Sequence, residues 1–194
     1  MIRGQSLPAP LRQEVVSAML SSCDRRRTSG RRNYVILLLL SRIGLRASEV
    51  AQLTLDDVRW RTGEVVVHGK GARTDVLPLP IDIGQALVSY LRRRNHAPVD
   101  CRALFVTVTA PVGPMSRYAV TAVVRDACWR VGAPRVGAHR LRHTAASSML
   151  AEGASLEEIG QVLRHRDRGT TAMYARVDRV RLQAIARPWA EATS

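Results

Sequence analysis

The apolar positions Leu11, Val15, Val16, Met19 and Leu20 recur at helical spacing and predict a first helix within residues 9–22. Asp24 to Gly30 is a polar, basic break. A buried helix is expected next, from Arg31 to Ile43, because it contains the longest purely apolar run of the chain, Tyr34 to Leu40, and meets Gly44 as a C-terminal cap. Ser48 to Leu55 resumes a helical pattern. The period then changes. Asp57 to Trp60, Glu64 to His68 and Thr74 to Leu77 are short β-prone runs separated by Arg61-Thr62-Gly63 and Gly69-Lys70-Gly71, the pattern of a small antiparallel meander. Pro78 and Pro80 end it, and helical patterns return at 81–95, 116–131, 139–152, 155–164 and 170–187. One strand cluster among many helices gives the α+β class, mainly α-helical with a small three-stranded antiparallel sheet, rather than an alternating parallel sheet.

Length and composition add bounds. The chain has 194 residues, enough for one medium domain, and an apolar fraction of 46%, that of a folded protein. The seven residues of its longest apolar run fall far short of the roughly 20 needed to span a bilayer. The first eight residues carry no apolar signal core. Cys23, Cys101 and Cys128 are odd in number, widely spaced and without a C-x-x-C pair, as expected of reduced thiols in a cytoplasmic protein.

Charge changes the picture more. Thirty Lys+Arg against 16 Asp+Glu leave a formal charge of +14, which points to a polyanionic partner, most simply nucleic acid. Of those 30 cations, 29 are arginine and one is lysine, Lys70.

Five local features hold candidate chemistry. Gly44-Leu45-Arg46-Ala47-Ser48-Glu49 sets an arginine just past a helix stop, and Gly69-Lys70-Gly71 sets the lone lysine at a hairpin tip. In His139-Arg140-Leu141-Arg142-His143, a helix brings His139, Arg142 and His143 onto one face at i, i+3 and i+4. That histidine spacing also occurs in zinc proteases, but here arginines occupy the interval and no glutamate is present as a base. Guanidinium groups repel a divalent cation and suit an anion, whose oxygens they grip in pairs. Leu163-Arg164-His165 closes a predicted helix, and Tyr174 follows after the break Arg166-Asp167-Arg168-Gly169.

Taken in order, Arg46, Lys70, His139-x-x-Arg142, His165 and Tyr174 resemble the catalytic domain of the tyrosine recombinases, the phage-integrase and Xer family. The motifs carrying the resemblance are Leu45-Arg46-x-Ser48-Glu49, the hairpin lysine, His139-x-Leu141-Arg142-His143, Leu163-x-His165 and the tyrosine segment. The match runs from about residue 10 to residue 187 and implies a single catalytic domain over 1–194.

The resemblance implies a site-specific DNA recombinase that cleaves and rejoins strands through a 3′-phosphotyrosine. Arg46 and Arg142 would clamp the non-bridging oxygens of the scissile phosphate, with His165 adding a hydrogen bond. Tyr174 would be the nucleophile, and His139 would accept or orient its proton. Lys70 would protonate the leaving 5′-oxygen, a task arginine performs poorly because it keeps its proton. A lysine placed at random among 30 cationic positions reaches this one about once in thirty. No metal, ATP or other cofactor is implied. The implied partners are double-stranded DNA and further copies of the chain, from a dimer to a tetramer on DNA.

Two departures stand beside the resemblance. Arg164 replaces the glycine of the family's L-G-H motif, a position where glycine supplies close approach or positive φ. Relatives also carry an N-terminal core-binding domain of about one hundred residues, expected to be absent here, so phosphate contacts would carry more of the affinity and make it salt-sensitive. Trp189 could anchor a C-terminal segment on a neighbouring protomer or cap its own core. Two other functions remain open: a non-catalytic DNA-binding remnant or regulator, and a type IB topoisomerase-like enzyme.

Overall fold

A computed structural model describes residues 10–69, 73–94 and 97–164. They fall into two compact units, the first ending at Ala145 and the second beginning at Ala146.

The first unit is built around α2 (Thr28–Leu38), which runs on through a π-helical turn, Leu39–Ile43. Val35 to Leu40 are all buried, so this helix lies inside the core rather than on it. Around it pack α1 (Gln13–Ser21), α4 (Ile81–Leu91) and α5 (Arg117–Arg130). Gly44 ends the helix in the left-handed region at φ 71°, a conformation that carries no Cβ penalty in glycine. The helix starts three residues earlier than its apolar pattern suggests. Gly30 fits this start because a Cβ there would stand 1.9 Å from the Asp24 carbonyl oxygen.

After α3 (Ala47–Gln52), a 3₁₀ turn at Leu55–Asp57 leads into the sheet. Strands β1 (Val58–Arg59), β2 (Glu64–His68) and β3 (Thr74–Pro78) form an antiparallel meander in the order β1-β2-β3. Val65 pairs with Val58 on one side and Leu77 on the other. Val65, Val66 and Val67 are all buried, which accounts for a continuous apolar run where a half-exposed strand would alternate. The three-stranded sheet is as the sequence predicts, although β1 keeps only two residues.

Residues 97–115 carry no helix or long strand, yet Leu104, Phe105 and Val106 are fully buried. Their order is non-local. The Leu104 N–H donates to the Leu53 carbonyl at 2.7 Å, and the Leu55 N–H donates to the Arg102 carbonyl at 2.9 Å. Phe105 stacks on Tyr90 with centroids 5.8 Å apart. Two arginines satisfy carbonyls of the same segment: Arg32 donates to Val106 at 2.8 Å, and Arg94 donates to Cys101 at 2.8 Å and also to Ala103. Arg32 is itself buried, and burial lowers its pKa. Part of the arginine excess therefore serves the interior.

Helix α6 (Ala138–Ala151) begins in this unit, where the Leu11 N–H donates to Thr144 Oγ1 at 3.0 Å. The described part of the second unit holds a small apolar cluster of Ala146, Ile159 and Leu163 around α7 (Leu156–Val162). Ser155 and Glu158 form a reciprocal capping box at the start of α7. Arg164 follows α7 at φ 53°, in the left-handed region. The predicted helix at 170–187 and Trp189 lie outside the described residues. No helix among the described residues is long and apolar enough to cross a membrane.

Candidate active site

The segment that ends the core helix delivers the first candidate. Leu45, fully buried, donates its N–H to the Leu39 carbonyl at 3.1 Å and fixes the chain as it leaves Gly44. Arg46 then occupies the N-cap of α3 with a half-exposed side chain. Glu49, one turn on and buried, holds it twice. One carboxylate oxygen accepts the Arg46 backbone N–H at 2.7 Å, and the other accepts Nη1 at 2.7 Å. The carboxylate therefore serves as helix cap and guanidinium brace together.

From α6 come His139, Arg142 and His143, on one face as their spacing predicts. Arg142, only 3% exposed, donates Nη1 to the Gly44 carbonyl, two residues before Arg46. This bond ties the first turns of α6 to the 44–46 segment. His139 lies within the fields of both arginines. Its pKa is lowered first by partial desolvation of its ring, which still reaches the surface, then by Arg142 and Arg46. The shift favours the neutral ring, the form that accepts a proton.

Beneath it, His143 is 6% exposed. The two imidazoles meet edge to face with centroids 4.3 Å apart, and their Nε2 atoms are 2.7 Å apart. Burial, then His139, Arg142 and Arg140, push the His143 pKa down to about 4.

Of the six sequence candidates, the structure brings Arg46, His139 and Arg142 together. Lys70, His165 and Tyr174 lie outside the described residues. Among the described residues, no group of three or more His, Cys, Asp or Glu side chains is placed to hold a metal ion.

A second polar cluster sits at the turn end of β2, where His68 is the last residue of the strand. Asp57, 6% exposed, accepts the Thr54 N–H at 2.7 Å and the Thr54 hydroxyl at 2.8 Å on one oxygen, while His68 Nε2 lies 2.7 Å from the other. Sequence reasoning passed over Glu49, His143 and Asp57 as site residues. The S/T-x-x-D spacing of Thr54 and Asp57 is a visible capping signal, whereas the pairing of Asp57 with His68 spans 11 residues and appears only once the sheet is formed.

The phage integrase family profile matches residues 10–181 of the sequence. The chain belongs to the phage integrase family. Among similar members, y4rA, an integrase/recombinase homologue of Sinorhizobium fredii, is 43% identical over 95% of this chain and 45% of its own length. A second S. fredii homologue, y4gC, is 34% identical and is covered over 95% of its length by 93% of this chain. Among solved structures, the XerH site-specific recombinase bound to a palindromic difH substrate superimposes with a TM-score of 0.79 at 25% identity, over 95% of this chain and 54% of XerH. This integrase-family chain thus spans about half the length of y4rA and of XerH.

Proposed function

We propose that the chain is the catalytic part of a site-specific DNA recombinase that breaks and rejoins strands through a 3′-phosphotyrosine. The observation that supports it most is the cluster of Arg46, Arg142 and His139 around Gly44, in a chain of the phage integrase family. A phosphodiester attacked by a hydroxyl gains negative charge on its non-bridging oxygens, and donors fixed before the reaction stabilise that charge most effectively. Arg46 is braced by Glu49 and Arg142 by a backbone carbonyl, so neither guanidinium needs to be ordered by substrate.

In this scheme Tyr174 Oη bonds to phosphorus while its proton passes to His139. The bond from phosphorus to the 5′-oxygen breaks, and Lys70 supplies that oxygen with a proton. His165 donates a hydrogen bond to a non-bridging oxygen. The phosphoester energy is kept in the tyrosyl bond, so rejoining is the same chemistry run backwards without ATP. Guanidinium groups carry the charge stabilisation, and the scheme calls on no cofactor. Strand exchange between two duplexes requires several active sites, so the partners are double-stranded DNA and further copies of the chain, in the cytoplasm where bacterial DNA lies.

The test is nicked suicide DNA carrying the protein's own flanking sequence. The wild-type chain is expected to form an SDS-resistant adduct that Tyr174→Phe does not form. DNA binding without any adduct would replace this reading with that of a non-catalytic binding protein.

A further inference from the structure

The His139–His143 pair has a consequence that the six-residue scheme leaves unused. Two Nε2 atoms 2.7 Å apart are hydrogen-bonded, so one bears a proton and the other accepts it. The two facing nitrogens therefore share a single proton. The charged groups among the described residues that act on the two rings are cationic: Arg140 and Arg142 on α6 and Arg46 at the start of α3. A second proton between the rings would add to that charge. His143 is buried and His139 stands at the surface, so the outer ring is the one a substrate reaches. With His139 Nε2 engaged, its Nδ1 is the nitrogen left for chemistry, and no described residue bonds it.

We infer that His143 is a positioning residue for His139: its buried Nε2 accepts the His139 Nε2–H and so fixes the Nδ1 lone pair of His139 outward, ready to take a proton. The inference rests on the reading of His139 as the group that receives the Tyr174 proton. When that proton arrives on Nδ1, His139 becomes an imidazolium whose Nε2–H is still donated to His143, and His143 itself gains no proton. The arrangement resembles in logic a base steadied from behind by a hydrogen-bond acceptor, with a neutral imidazole standing where other enzymes use a carboxylate. A carboxylate here would instead pair with Arg140 or Arg142. The opposite arrangement, His143 donating to His139, would leave His139 with an Nδ1–H and no lone pair to offer.

Two measurements decide it. The chain has five histidines, so two-bond ¹H–¹⁵N spectra of the full-length protein at pH 7.5, assigned with His139→Gln and His143→Gln, resolve each tautomer. His139 protonated on Nε2 and His143 on Nδ1 is the expected result, and the reverse pair overturns the inference. On suicide DNA, His143→Leu should slow adduct formation by about tenfold or more with DNA affinity unchanged. His143→Gln, whose amide oxygen can accept the same bond, should recover most of that rate. Equal loss in the two variants, or a wild-type rate in His143→Leu, overturns the positioning role. If the wild-type chain forms no adduct at all, the recombinase reading fails, while the tautomers still decide the pairing.

Discussion

Asp57→Asn probes the contact that holds His68, the last residue of β2 and two positions before Lys70 in the sequence. The carboxylate is buried and takes three short hydrogen bonds, from the Thr54 N–H, the Thr54 hydroxyl and His68. Bonds to a charged acceptor contribute about 1.5–3 kcal/mol each, against about 0.5–1.5 for neutral ones, so removing the charge at three bonds costs about 3–4.5 kcal/mol. The pH dependence follows from the direction of the carboxyl's shift. Burial pushes its pKa up, but the backbone and hydroxyl bonds from Thr54 and the bond from His68 outweigh burial and hold it below the usual range. A carboxyl whose folded pKa is depressed stabilises fully above its unfolded pKa, and that stabilisation is lost as pH falls through the folded value. Urea unfolding followed by circular dichroism should therefore show a lower midpoint for Asp57→Asn at pH 7.5, with an unchanged slope. The gap to wild type should close as the pH is taken below the carboxylate range. A gap under about 0.5 kcal/mol at pH 7.5, within the range of an ordinary surface change, would refute the reasoning, as would a gap constant with pH.

Two further perturbations test the frame of the site. Glu49→Gln removes the charge that braces Arg46, and adduct formation should fall by about tenfold while duplex affinity in a gel-shift assay changes little, because the effect is on orientation rather than on net binding. At Arg164, with φ 53°, Arg164→Gly should stay within about 1 kcal/mol of wild type, since relief of backbone strain offsets added freedom in the unfolded chain. Arg164→Val should be about 1–2 kcal/mol less stable than the glycine variant in urea unfolding, and equal stabilities would remove the left-handed assignment.

The elements legible in the sequence were those whose information is local. Gly44 as a cap, the apolar run of α2, and the turns at Arg61-Thr62-Gly63 and around Gly69 all follow from rules spanning a few residues. The segment at 97–115 was opaque because its regularity comes from partners far along the chain, Leu53, Leu55, Tyr90, Arg32 and Arg94. Those same contacts explain why charge alone overstated the outward surface. Arg32 and Arg94 count toward +14, yet they hydrogen-bond to the main-chain carbonyls of Val106, Cys101 and Ala103. In the site, the i, i+3, i+4 spacing foretold one face bearing His139, Arg142 and His143. It could not foretell that Arg142 would reach back to Gly44, or that the second histidine would stand behind the first.

The central division of labour, fixed guanidiniums for charge and one lysine for the proton, is tested most directly on DNA with a 5′-bridging phosphorothiolate, whose sulfur leaves without protonation. Lys70→Ala should cleave ordinary DNA at least about a hundredfold more slowly than wild type and recover on the phosphorothiolate, while Arg142→Ala stays impaired on both. Equal defects of Lys70→Ala on the two substrates would contradict the assignment of the chain's single lysine as the acid.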